Sequence, residues 1–198
     1  AARFENGSSA DNGGNIHVSA SDLVVSNATL SSGDATERGG NLYASYSNVT
    51  LSSVNVLDGF ANSGGGVYST HGDISLATGT IAGNVAQDGA GGLEVGGNSS
   101  NQVTVDACTF TNNPMIAVGA DVLVTGANWE VRNSLFSGGA ADSGNALNVT
   151  SPGTLSGSEF HSARMLGYRT DPAELTIIDN RFCDGAAVSL GGRGGDYV

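Results

Sequence analysis

A pair of glycines returns at a fixed interval: Gly13-Gly14, Gly39-Gly40, Gly65-Gly66 and Gly91-Gly92 stand 26 residues apart. A short alternating run follows each pair, starting at Asn15, Asn41, Val67 and Leu93. Self-similarity at a period of roughly 20 to 50 residues is the mark of a solenoid. A second ladder sets the register. An apolar residue is followed by another two positions on and a third five beyond that: Leu23/Val25/Leu30, Val49/Leu51/Val56, Ile74/Leu76/Ile81, Val103/Val105/Phe110, Trp129/Val131/Phe136, Gly153/Leu155/Phe160 and Leu175/Ile177/Phe182. Only Gly153 breaks the apolar character.

The first step of that ladder is strand periodicity, with both side chains on one face. A step of five is odd and would change face, so a turn lies inside it. The residues two beyond the middle member are Asn27, Ser53, Thr78, Ala107, Asn133, Gly157 and Asp179. Most of these types favour a tight bend or a left-handed backbone. Repeated coils of short strands and bends describe an all-β, right-handed, three-sided parallel β-helix of about seven to eight coils, with equivalent strands about 4.8 Å apart. A β-sandwich is the alternative, but it has no reason to keep columns in step. The third column ends in Phe110, Phe136, Phe160 and Phe182, which should stack inside the C-terminal half.

Taken along the chain, residues 1–12 are polar and unpatterned, without Met or a signal-peptide core, as in a mature or excised segment. Residues 13–198 are expected to form one β-helix domain with coils near 13–38, 39–64, 65–90, 91–117, 118–143, 144–167 and 168–198, and to be part of a longer chain or fibre. A loop insertion, 96–102, stretches the fourth coil. The stretch 161–174, with Arg164, Arg169, Asp171 and Pro172, is expected to project as a side loop. Neither end reads as a finished cap.

The glycine doublet followed by apolar-x-apolar, together with Thr109–Asn113, resembles the glycine-doublet and FxxN repeats of polymorphic outer membrane protein adhesins. Phe110 and Asn113 match FxxN, and Ile81 with Asn84 nearly does. More broadly the chain resembles the pectin-lyase-like right-handed parallel β-helix superfamily. The resemblance implies a surface or secreted protein involved in adhesion; other members of the fold cleave polysaccharides.

Chemistry is harder to find. The 198 residues carry a net charge of −12, and every cation is arginine. Binding to nucleic acid through its phosphates is disfavoured by that surface, as is docking to an anionic membrane. No stretch is long enough to span a bilayer. Glycoside hydrolysis needs paired carboxyls, and the one candidate pair is Asp179 with Asp184 beside Arg181, which a solvated bend explains as well. His17, His71 and His161 fall in different columns, implying no metal cluster. The column His17, Tyr43, Tyr68 should face outward, as a platform for a sugar or neighbour or as a ladder stiffening the sheet. Thr78/Thr80 and Thr109/Thr111 only weakly suggest an ice-binding array. Glycosylation sequons stand at Asn6, Asn27, Asn48, Asn98 and Asn148, on bends, loops or outward positions. Cys108 and Cys183 lie three coils apart, too far to pair. The resulting expectation is an extracellular or cell-surface structural or adhesive protein, without catalytic residues or cofactor, whose partners are its own copies, neighbouring coils or glycans. The alternative is a carbohydrate-active enzyme or polysaccharide-binding domain of the same fold.

Overall fold

The computed structural model describes residues 1–114, 120–138, 145–161, 164–165, 167–168 and 175–188. These form a right-handed, three-sided parallel β-helix of about six turns, and no helix occurs among them. Every strand pair is parallel and joins equivalent positions of successive coils. The doublet face stacks Ile16–Ser19, Leu42–Ser45, Val67–Thr70, Leu93–Gly96, Ala120–Thr125 and Asn145–Val149. The long face carries the triplets. Its strands Leu23–Ser31 and Val49–Leu57 run through the bend, and in later coils they divide, as in Ile74–Ala77 and Thr80–Ala82. The narrow third face is made of two-residue strands, Ser8–Ser9, Asp34–Ala35, Phe60–Ala61 and Val85–Ala86, whose inward Ala35, Ala61 and Ala86 are fully buried.

All three triplet columns are in register as the spacing requires. The bend residues Asn27, Ser53, Thr78, Ala107, Asn133, Gly157 and Asp179 all have φ between 50° and 55°. Such a backbone costs a residue with a Cβ about 1–2 kcal/mol. Cross-coil hydrogen bonds one residue further on offset that cost. The backbone N–H of Cys108 donates to Ser134 Oγ (3.2 Å), that of Ser134 to Ser158 Oγ (3.1 Å) and that of Ser158 to Asn180 Oδ1 (2.8 Å). The interior is one continuous apolar core, aliphatic first and aromatic later. The Phe110, Phe136, Phe160 and Phe182 rings stack at centroid distances of 5.0, 4.6 and 5.2 Å.

Three local readings need correction. Residues 1–12 are not unpatterned: Ala2–Glu5 pairs with Ala28–Ser31, Ser8–Ser9 with Asp34–Ala35, and Phe4 stands in the third column opposite Leu30. Their side chains are too polar for periodicity to reveal the strand. The stretch 161–174 does not leave the helix entirely, since Arg164–Met165 and Gly167–Tyr168 pair with Asn145–Val149; Arg169, Asp171 and Pro172 lie outside the described residues, as do the expected coil boundaries at 117–118 and 143–144. Finally, the second coil is one residue shorter than the glycine doublets imply. Leu42 pairs with Val67, so Gly39-Gly40 align with Gly64-Gly65, and Gly66 takes the place of Asn41.

That slip has a physical reason. A ladder of buried amides runs along one corner. Asn15 Nδ2 donates to Asn41 Oδ1 (2.7 Å), Asn41 Nδ2 to Asn84 Oδ1 (3.1 Å), Asn84 Nδ2 to Asn113 Oδ1 (3.0 Å) and Asn113 Nδ2 to Asp121 Oδ1 (2.8 Å). Each amide also satisfies backbone groups of the corner, such as Gly33 N–H on Asn41 and Gly59 N–H on Asn84. Asn15 and Asn41 enter from the doublet side, whereas Asn84 and Asn113 enter from the opposite side of the corner. A Cβ on Gly66 would sit 2.9 Å from Cγ of Asn84, so the glycine vacates the space that the amide fills. The FxxN motif is therefore a corner-filling device of the middle coils.

Candidate functional site

The outward column forms as expected from alternation. His17 and Tyr43 have ring centroids 4.9 Å apart, and Tyr43 and Tyr68 stack at 5.8 Å with an interplanar angle of 11°. The platform is not open, because Tyr43 is 9% exposed and the Arg38 guanidinium lies 5.1 Å from the Tyr68 ring centre. Cation–π contact and burial there suit a stiffening ladder more than a sugar platform. The next member, Glu94, turns its carboxylate to the backbone N–H groups of Gly64 (3.1 Å) and Ala90 (3.0 Å). Burial nonetheless raises its pKa. A second stack, Tyr46 on His71 at 4.7 Å, sits at the edge of this face.

The acid pair proposed from sequence does not form a unit. Asp179 occupies the first bend of its coil and Asp184 the second, and Asp184 Oδ2 pairs with His161 Nδ1 at 2.9 Å. That contact opens a different cluster. Phe160 and Phe182 point inward, so their neighbours point outward, and the register sets Glu159 beside Arg181 and His161 beside Cys183. Glu159 Oε1 accepts from His161 Nε2 (2.8 Å), from Arg181 Nη1 (3.3 Å) and from Cys183 Sγ (3.9 Å). The ligand atoms of Glu159, His161 and Cys183 all lie within 4.8 Å of one another. The two carboxylates raise the His161 pKa, Asp184 contributing most. Comparing histidines only with histidines hid this cluster, whose donors are three residue types on two rungs. The i, i+2 pair Glu159/His161 facing Arg181/Cys183 was the available signal.

The sequon asparagines Asn6, Asn27, Asn48 and Asn98 are exposed and Asn148 is half-buried, none of them in the apolar core. Both cysteines are free, Cys108 buried and Cys183 half-buried. They lie on rungs three apart, roughly 14 Å along the axis at about 4.8 Å per rung. Burial raises the Cys108 pKa. In the native protein at neutral pH, a maleimide reagent should therefore label Cys183 and spare Cys108, with both labelled after denaturation. Equal native rates at both thiols, read by peptide mass spectrometry, would contradict the placement of Cys108 in the core.

Compared with known proteins, the chain matches no family model, no curated protein and no solved structure.

Proposed function

We propose that the chain is an extracellular structural or adhesive β-helix, a surface or fibre component whose coils stack end to end, and that it is not an enzyme. The observation that carries this reading is the stack itself: every strand pair among the described residues is parallel and joins successive coils over one continuous apolar core. Ala2–Glu5 continues this stack, pairing with Leu23–Ser31 and placing Phe4 in register with Leu30 of the core column. Parallel rungs stacked over an apolar column can be extended by further rungs of the same kind. Adhesion is a natural use of long flat faces, and likeness to the glycine-doublet adhesin repeats within the pectin-lyase-like superfamily supports it. The five sequons, none of them in the apolar core, would accept glycans in a secreted setting. The net charge of −12 argues against nucleic acid as a partner, and no helix of the described residues is long and apolar enough to cross a membrane.

The test is the assembly state of the 198 residues by light scattering and negative-stain microscopy across a concentration series. The expected result is end-to-end oligomers that Phe4→Asp disperses into monomers. A parent protein that stays monomeric at every concentration overturns stacking. The competing reading, a carbohydrate-active enzyme or polysaccharide-binding domain, predicts turnover or retention on a polysaccharide panel, and turnover lost on replacing Asp184 would replace the structural reading.

A further inference from the structure

We infer that the outer surface of the C-terminal coils carries a binding site for one zinc-class divalent cation, ligated by Glu159, His161 and Cys183 and positioned by Asp184. The inference is independent of the fibre reading. Three kinds of donor meet there. A thiolate, an imidazole and a carboxylate make the mixed sulfur–nitrogen–oxygen set preferred by borderline ions of the zinc type over magnesium or calcium, which favour oxygen alone.

The geometry supports a three-ligand site with an open fourth position. Glu159 and His161 lie two apart on one strand and project to the same side; Cys183 projects from the facing position of the next rung. The β-helix thus holds the donors on two hydrogen-bonded strands rather than on a loop. The Glu159 Oε1 to His161 Nε2 separation of 2.8 Å need open by only about half an ångström for both to lie near 2.0–2.1 Å from one tetrahedral ion. Asp184 meanwhile accepts from Nδ1 at 2.9 Å. That is the carboxylate–histidine–metal arrangement, which fixes the ring and leaves Nε2 free to ligate.

Charge points the same way. Ionised Glu159, Asp184 and Cys183 with Arg181 leave two net negative charges, which a divalent cation neutralises. On binding, the Cys183 thiol releases its proton to solvent, and His161 releases its Nε2 proton when it starts as imidazolium. Arg181, 3.3 Å from Glu159 Oε1, gives up that oxygen to the ion.

Cobalt(II) is the probe, titrated anaerobically into the intact 198-residue protein. One equivalent should produce a thiolate-to-cobalt charge-transfer band with the intense visible bands of four-coordinate cobalt, and zinc should bleach both. Cys183→Ser should remove the charge-transfer band, whereas Cys108→Ser should leave it unchanged. Asp184→Asn should keep the stoichiometry and weaken affinity about 10- to 100-fold. One equivalent of zinc should also protect Cys183 from maleimide. All four side chains face outward, so circular dichroism of each variant should match the parent. A folded protein that shows no charge-transfer band, a band that survives Cys183→Ser, or a Cys183 that zinc leaves unprotected overturns the site.

Discussion

Replacing Gly153 by valine, the residue that stands in the same column at positions 49 and 103, is expected to destabilise the protein by about 3 kcal/mol or more, the upper end of overpacking costs. Column logic alone would predict a gain. The difference lies in Trp129, one rung away in that column. Its indole is 2% exposed, and its Nε1 donates to the Ser151 carbonyl at 2.8 Å. A Cβ on Gly153 would overlap Cδ2 and Cε2 of that ring and come within 2.5 Å of the Trp129 carbonyl oxygen. Glycine and tryptophan thus share the volume that two aliphatic side chains occupy elsewhere. Trp129→Val alone should cost about 3–5 kcal/mol through the cavity above Gly153. The double substitution should cost at least about 2 kcal/mol less than the sum, within the coupling seen for residues in contact. Urea unfolding of the four proteins, followed by circular dichroism, measures it. Additive effects would mean that the two positions do not compete for space.

The same pair shows what a linear reading can and cannot recover. Spacing found the column, flagged Gly153 as its exception, and also found the left-handed bends, even at Ala107, where no residue preference points to one. These features repeat along the chain at one position per coil. The corner amides do not. Asn41 and Asn84 fill equivalent volume from opposite sides of the corner, and the exchange is legible only when Gly66 and Asn84 are seen to face each other. The strand at Ala2–Glu5 was hidden for another reason: its single large apolar residue, Phe4, makes no pattern by itself. The cluster at Glu159, His161 and Cys183 depends on which residues the register sets side by side. Columns of like residues find ladders of like residues, and a mixed donor set is invisible to them.

The end of the amide ladder should make stability depend on pH. Asp121 stands where the preceding coil has Gly92, is 2% exposed, and receives Asn113 Nδ2 on Oδ1 at 2.8 Å. Its Oδ2 is buried without a hydrogen-bond partner among the described residues. Burial, opposed only in part by the Asn113 side chain and backbone, pushes the carboxyl from 3.8 up to about 7. The folded protein therefore keeps this proton to about pH 7, while the unfolded chain loses it near pH 4. Between those values the native state binds one more proton than the unfolded state, so unfolding free energy falls as pH rises. The full difference, at about 1.4 kcal/mol per pH unit, is on the order of 4 kcal/mol above pH 7 and vanishes below pH 4. Asp121→Asn keeps an oxygen to accept from Asn113 and replaces the orphan oxygen with a donor that never ionises. The variant should match the parent near pH 4 and exceed it by a few kcal/mol at pH 8. Other titrating groups are common to both proteins and cancel in the difference. Urea midpoints measured for the two proteins from pH 4 to pH 8 give the comparison, and curves that stay parallel throughout would show that Asp121 is ionised in the folded state.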